Sequence, residues 1–468
     1  MPAPADPAAA PEAPPRELTV RETLAALLAS SRGLWLVNLV NFSDGVAYFG
    51  VLALTTLFLE KDAGFSTEWS TAAVSLFTGA VTVFMALGGG TVSDRLGVRR
   101  ALSLALLLVL AGRVLLVLAP RAGSHGAVAA AVAIALVVYA FGEGVIYPAF
   151  YAGAKEYSDP RTASVGYALV YAIMNLGVVA GEALSPLVRA RWASAVEGVS
   201  VEEHPAAGIA GAFWLFAAIT ALTLAANLLL FTRRVEERDR LVREAPAPLA
   251  GARGLLARLR ALPILDARFL FFIFVLLPVR TLFAHQWLTM PHYVVRAFPP
   301  EVGSRWEWVN GLNPLVIVVF VPLIALLTRR VRVVDMMIVG TTVSAGATFL
   351  LVPAPSLPLL VAYFVVFSLG EACWSSRFYE YVAALAPANR VGVYMGIAGI
   401  PWFLAKSVTG LYSGFMIDRF VPEHGAQRPG TLWLVYGLAG LASPLGLLVA
   451  RRWLLARAPE AETARAAG

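Results

Sequence analysis

Residues 90–100 read GTVSDRLGVRR, a short segment with one acid and three arginines. The apolar runs on either side, 70–92 and 101–119, are each close to the ~20 residues that a membrane-spanning helix needs. A basic loop between two such runs is typical of the cytoplasmic face of a membrane protein. The segment therefore predicts a helical hairpin that crosses a bilayer twice.

The same pattern continues along the whole chain. Of its 468 residues, 59% are hydrophobic and only 14% are charged, and the mean hydropathy is +0.72. Because lipid offers no hydrogen-bond partners to the backbone, apolar runs of this length should be helices. We expect an all-α membrane protein with twelve transmembrane helices in two pseudo-symmetric six-helix bundles. The twelve runs are 33–59, 70–92, 101–119, 126–153, 163–188, 208–232, 269–295, 308–328, 334–352, 357–386, 391–417 and 431–450.

The charges orient these helices. With both termini in the cytoplasm, 25 of the 37 Lys and Arg residues fall on the cytoplasmic side and eight on the other. The net charge of +7 therefore reflects membrane topology, and we expect no nucleic-acid partner. The Ala/Arg-rich composition is typical of bacteria, so we expect the bacterial cytoplasmic (inner) membrane. The single cysteine, Cys373, excludes an intramolecular disulfide and a cysteine-rich metal site.

The polar stretch in the middle of the chain predicts its division into parts. A six-plus-six plan places a substrate site near the membrane midplane, between the halves. The expected parts are a cytoplasmic tail 1–32, a bundle 33–232, a cytoplasmic linker 233–268, a second bundle 269–452 and a cytoplasmic tail 453–468.

The loop at 90–100 matches the pattern G-x-x-x-D-R-x-G-x-R-R in full. This resembles the signature loop of the major facilitator superfamily, in which the loop acts as a conformational latch at the cytoplasmic ends of the helices. Gly97 is suited to the tight turn that the loop requires. The latch residues that the resemblance implies are Gly90, Asp94, Arg95, Gly97, Arg99 and Arg100.

Four further stretches resemble the proton-dependent oligopeptide transporter family. They are NFSDGVAYFG (41–50), GEGVIYPAFYAGAKEYSDPRTASVGYALVYAIMNLG (142–177), NPLVIVVFVPLIA (313–325) and LGEACWSS (369–376). The resemblance implies alternating access, proton coupling and a di-/tripeptide or peptide-like cargo. However, the family's acidic and basic residues that handle protons and peptide termini are replaced here by Asn41, Gly45, Tyr147 and His285, which leaves the cargo open.

Polar residues inside the runs are the candidate site, because an ionisable group costs about 2.5–3.5 kcal/mol at a helix centre. Asp44 is expected to carry a proton or to pair with an Arg, and Arg280, after Pro278 and its expected kink, to bind a substrate anion or to neutralise Asp44, Glu143 or Glu371. The substrate-binding candidates are Asn41, Asp44, Tyr48, Tyr147, Tyr151, Asn175, Arg280, Gln286, Asn313, Glu371 and Trp374. The proton-coupling candidates are Asp44, Glu143, Glu182, His285 and Glu371.

Five residues have plainer interpretations. His285 is as compatible with packing as with proton transfer. Arg113 is expected to stabilise the end of the third helix, and Lys406 to reach an interface or line the cavity. Arg377 and Glu380, three residues apart, are expected to pair locally.

The sequence favours a secondary transporter. No nucleotide-binding or hydrolase motif is found, so we expect no enzyme activity, no cofactor and no metal. The expected partners are a small-molecule substrate, protons and the lipid bilayer, with a monomeric transport unit. The alternatives are an exporter of a drug, lipid or metabolite, and a non-transporting receptor on the same fold.

Overall fold

The computed structural model describes residues 30–85, 90–157, 163–241, 266–328, 331–385 and 391–455. These residues form an all-helical protein with twelve long helical segments, which we number in chain order. The first six are Arg32–Lys61, Thr67–Phe84, Val98–Leu118, His125–Tyr157, Ala163–Trp192 and Ile209–Leu230. Within the described residues, nine helices are long and apolar enough to cross a membrane.

The second six segments are more interrupted than the first. The seventh consists of Ala267–Val275, Leu277–Leu288 and Met290–Ala297, and the eighth is Leu312–Leu327, preceded by the short helix Trp306–Asn310. The ninth to twelfth are Val333–Ala347, Leu357–Leu385, Val391–Phe420, and Pro429–Gly440 with Ala442–Leu455. The break before Pro278 confirms the kink expected in the seventh helix, because proline lacks the N–H that a continuous helix needs.

Local sequence explains where the first helices begin. The Ser31 hydroxyl accepts a bond from the backbone N–H of Leu34, and the Ser66 hydroxyl accepts one from Trp69. These are N-caps, which satisfy N–H groups that have no partner inside the helix. Apolar side chains such as Leu222 and Leu229 are exposed on the outer faces of the bundle, as expected for surfaces that meet lipid.

The signature loop packs on a short helix, Arg233–Asp239, that follows the sixth segment. Gly97 has φ of 77°, so the expected tight turn is confirmed. Arg99 Nε lies 3.1 Å from Glu236 Oε2, and the Asp239 carboxylate accepts a bond of 2.8 Å from the Gly33 N–H. Burial raises the pKa of the Asp239 carboxyl group, but the hydrogen bonds from Arg238 and from the Gly33 N–H outweigh burial. The pKa of Asp239 therefore lies below its ordinary value.

The remaining latch candidates add no contact between the halves. Arg95 and Arg100 are exposed, and the side chain of Asp94 and the surroundings of Gly90 lie outside what the structure describes. The described contacts of the loop therefore connect parts of the N-terminal half, and the latch across the halves stays a prediction.

The two halves are joined at the end opposite the signature loop, which we call the outer end. Arg296 binds Glu60 and Asp418 there, each at 3.0 Å. A buried pair, Arg189 with Glu307, joins the fifth helix to the short helix before the eighth at 2.5 Å. Every ion pair between halves that the described residues form lies at this end, so the structure is closed on the outer side.

Candidate functional site

A charged cluster lies in the middle of the N-terminal half. Arg113 of the third helix places one guanidinium nitrogen 3.3 Å from Asp44 Oδ1 and 3.3 Å from Glu143 Oε1. Asp44 belongs to the first helix and Glu143 to the fourth. At most 5% of any of the three side chains is exposed. Two carboxyl groups thus face one cation in a site that is almost free of water.

Neutral groups complete this cluster. The Tyr139 hydroxyl accepts bonds of 3.1 and 2.9 Å from Arg113, and the Thr220 hydroxyl accepts another. The guanidinium carbon also lies 4.9 Å from the centre of the Tyr139 ring. We call Arg113, Asp44, Glu143, Tyr139 and Thr220 the arginine cluster. It connects the first, third, fourth and sixth helices.

The arginine cluster corrects two expectations. Arg113 does not stabilise the end of the third helix, because its side chain reaches the middle of the neighbouring helices. Arg113 is also the partner of Asp44 and Glu143. The sequence had indicated Arg280 as a residue that could neutralise these acids. Tyr139 was missed, although Tyr139 and Glu143 are four residues apart and therefore lie on one helix face.

In the C-terminal half, two buried cations lie against aromatic rings. The Arg280 guanidinium carbon lies 4.5 Å from the centre of the Phe378 ring, 5.5 Å from that of Trp374 and 5.9 Å from that of Trp402. Lys406 Nζ lies 4.8 Å from the centre of the Trp287 ring and 4.9 Å from that of Trp402. We call these six residues the aromatic wall. They come from the seventh, tenth and eleventh helices.

The aromatic wall faces the other half of the protein. Phe49 of the first helix lies 6.1 Å from Trp287, centre to centre. Beside this contact, the Ser75 hydroxyl of the second helix donates a 2.9 Å bond to the backbone carbonyl of Lys406. The wall therefore lies at the interface between the halves, near the middle of the eleventh helix, where a transported solute is expected to bind.

Glu371 has a hydrogen-bond partner in the eighth helix. Asn313 of the eighth helix donates bonds of 2.8 Å to both the Glu371 carboxylate and the Ser368 hydroxyl. Glu371 was one of three acids that Arg280 could neutralise, and the structure shows no ion pair between these two described residues. The two candidates Asn313 and Glu371 are brought together, one turn of helix from Trp374.

Two asparagine candidates make helix contacts. The Asn41 amide donates a 2.6 Å bond to the Val170 carbonyl, which ties the first helix to the fifth. Asn175 donates to the Tyr171 carbonyl within its own helix, at 2.9 Å. Each bond uses one of the two N–H groups of the side-chain amide, so both residues contribute to helix structure, and their role in substrate binding stays a prediction.

Glu182 and His285 also have partners. Glu182 accepts a 2.9 Å bond from Asn310 across the interface between the halves. The ring nitrogens of His285 lie 2.7 Å from the Thr289 hydroxyl and 3.2 Å from the Tyr412 hydroxyl, and its ring stacks on Tyr436 at 3.7 Å. Of the two interpretations left open for His285, these contacts favour packing.

The other candidates lie near the two clusters or outside the described side chains. The rings of Tyr48 and Tyr147 meet edge to face at 6.2 Å, and Gln286 is buried in the seventh helix. Arg377 donates a bond of 2.8 Å to the Thr328 carbonyl. The side chains of Tyr151 and Glu380 lie outside what the structure describes. The expected pairing of Glu380 with Arg377 therefore stays a prediction.

The family profile described as Major Facilitator Superfamily matches residues 34–298, more than half of the chain. The chain belongs to this superfamily. It is thus an integral membrane protein of a transporter family and moves a small solute by secondary transport, without enzymatic chemistry. The expected fold is confirmed, and the solute is not identified by this match.

Individual relatives agree with that assignment. An uncharacterized MFS-type transporter, YhjO of Bacillus subtilis, is 24% identical over 73% of this chain and 76% of its own length. A crystal structure of a peptide transporter POT in complex with sulfate has a TM-score of 0.69 at 18% identity, over 92% of this chain and 98% of its own. A nucleoside transporter, NupG, reaches 0.68 at 14% identity, over 89% and 99%. The near-equal scores show the fold and leave the cargo open.

Proposed function

We propose that this transporter is proton-coupled, that its cargo is a di-/tripeptide or peptide-like molecule, and that it works in the bacterial cytoplasmic membrane. The observation that carries the coupling is the arginine cluster. With both carboxylates ionised, the cluster holds a net negative charge in a site that water scarcely reaches, which is unfavourable. One proton shared between Asp44 and Glu143 balances the cluster.

Loading and release of this proton would change the contacts of Arg113. When one carboxyl group is protonated, Arg113 keeps one full ion pair; when both are ionised, it is shared between them. Because Arg113 connects the first helix to the third, fourth and sixth, the two protonation states stabilise different arrangements of these helices. A proton gradient then biases alternating access between the halves.

The peptide-like cargo rests on weaker support. The POT structures give the fold at low identity, and four sequence stretches resemble that family. The membrane assignment is supported by the excess of basic residues on one side and by a relative from a bacterium.

Proton flux in liposomes tests the coupling. Purified protein is reconstituted with the dye pyranine inside, and alanyl-alanine or N-acetylphenylalanine is added outside at equal and unequal pH. We expect solute-dependent acidification of the lumen in the wild type, reduced at least tenfold in Asp44→Asn and Glu143→Gln. Exchange of labelled solute at equal pH should persist in both variants.

The control is Glu203→Gln, which removes an exposed acid at the outer end and should behave as the wild type. Unchanged proton flux in both cluster variants would overturn the coupling. Solute-dependent proton movement out of the lumen, in place of entry, would indicate the exporter alternative.

A further inference from the structure

We propose that Lys406 is a binding site for the carboxylate of the cargo, and that the cargo is an organic acid with an aromatic or apolar body next to its acid group. This inference rests on the proposed transport function and narrows its substrate class. The site combines Lys406 with the rings of Trp287 and Trp402.

The first observation is that Lys406 is a buried cation with no acid beside it. Only 6% of the residue is exposed, and within the described residues no carboxylate lies within 4.0 Å of its ammonium group. Two buried arginines do have acids: Arg113 binds Asp44 and Glu143, and Arg189 binds Glu307. Lys406 depends on the faces of Trp287 and Trp402.

These rings only partly replace water around the ammonium group. A cation on an aromatic face gains part of the stabilisation that water would give it, whereas the desolvation of an ammonium ion costs more than such a contact returns. An anion that enters the site would supply the missing charge. The anion should therefore bind more strongly to this buried ammonium group than to an exposed one, where water weakens an ion pair.

The second observation is the chemistry around Lys406. Arg280 shares the Trp402 ring with it, so two cations face the same indole. The indole N–H of Trp374 is buried and donates to no acceptor among the described residues. A nearby acid on the tenth helix, Glu371, already accepts a bond from Asn313. The site thus offers positive charge, a free donor and flat apolar surfaces.

The third observation is its place in the molecule. Lys406 lies where the eleventh helix packs on the second, and Trp287 meets Phe49 of the first helix. A ligand on Lys406 therefore contacts elements of both halves. A carboxylate here would be held by the C-terminal half, while the proposed coupling proton belongs to the N-terminal half.

Ligand binding to the purified protein tests this assignment without any proton gradient. Three carboxylates are each compared with their neutral amide: benzoate, 3-phenylpropanoate and N-acetylphenylalanine. Affinity is measured by quenching of tryptophan fluorescence and by thermal shift, because a ligand that binds the folded state stabilises it. We expect at least one carboxylate to bind at least tenfold more tightly than its amide.

The variant Lys406→Met should weaken carboxylate binding at least tenfold and remove the preference over the amide. Lys406→Arg should retain it, and the control Arg121→Met, which removes an exposed cation at the outer end, should match the wild type. A wild type that binds every amide as tightly as its acid, or a Lys406→Met that binds the acid unchanged, overturns the assignment. Failure of proton coupling alone would leave this binding pattern intact and appear only in the flux assay.

Discussion

The arginine cluster and the aromatic wall bury their cations in opposite ways. In the N-terminal half, Arg113 faces two acids and two hydroxyl groups. In the C-terminal half, Lys406 rests on two indole rings, with no acid in contact within the described residues. The arginine cluster has one acid more than its cation needs, whereas Lys406 has no acid in contact among the described residues. The difference assigns a proton to one half and an anion to the other.

Loss of Arg113 should have the largest effect on stability. Arg113→Met leaves Asp44 and Glu143 buried together with no cation, and the removal of one partner from a buried ion pair costs about 3–5 kcal/mol. We expect a large drop in melting temperature in detergent, measured at neutral pH by tryptophan fluorescence. The triple variant that adds Asp44→Asn and Glu143→Gln should recover part of the loss. A single variant that melts like the wild type would show that the cluster is not an ion pair.

The sequence predicted the fold and most of the charged residues of both regions, but not their partners. An ionisable residue in an apolar run is visible without a structure because of its insertion cost, so Asp44, Glu143, Arg280 and Lys406 were found. Which cation meets which acid depends on the rotation of each helix about its axis, and the sequence does not specify rotations between helices.

Arg113 illustrates this limit. Its position near the end of an apolar run favoured a role in stabilising the end of the third helix, but its side chain reaches the first and fourth helices. The break at Pro278 and the turn at Gly97, by contrast, follow from local backbone chemistry and were predicted correctly.

The contact that brings Lys406 to the N-terminal half depends on a glycine. A Cβ atom at Gly410 would overlap the Ser75 side chain and lie 2.7 Å from the Thr71 carbonyl. Gly410→Ala should therefore oppose the outer-closed state by about 1–3 kcal/mol. Gly346→Ala is the matched control, because nothing lies within 4 Å of its Cβ and alanine favours a helix.

Accessibility of a cysteine measures this effect. In a Cys373→Ala background, Ser70→Cys places a thiol at a buried position of the second helix, near the outer end. A membrane-impermeant maleimide should label it several-fold faster with Gly410→Ala than with Gly346→Ala. Equal labelling would mean that the second and eleventh helices do not control closure.

Lys406→Met should change stability little, in contrast to Arg113→Met. The substitution loses contacts between the ammonium group and the rings but removes an uncompensated buried charge. We expect the variant to have a melting temperature equal to or above that of the wild type. Its free energy of unfolding should be about 0–1 kcal/mol higher than that of the wild type. A destabilisation as large as that of Arg113→Met would indicate that Lys406 has a structural acid partner and would remove the contrast between the two regions.

The smallest effect is expected at the signature loop. Arg99 and Glu236 form a partly exposed pair, and such pairs contribute about 0.2–1 kcal/mol. Arg99→Gln should therefore lower thermal stability only slightly, and 0.5 M salt should reduce the difference further by screening. A larger loss would mean that the loop holds the N-terminal half together more strongly than this pair explains.

The most direct test of the division between the halves measures binding and proton flux on the same preparations of Glu143→Gln and Lys406→Met. The probe is N-acetylphenylalanine, the peptide-like member of the carboxylate series. Glu143→Gln should bind the acid as the wild type does and lose at least tenfold of the solute-driven proton flux. Lys406→Met should bind the acid at least tenfold more weakly than the wild type, with a melting temperature that is not lowered. The division between the halves is contradicted if Glu143→Gln retains its proton flux, or if Lys406→Met retains its affinity for the acid.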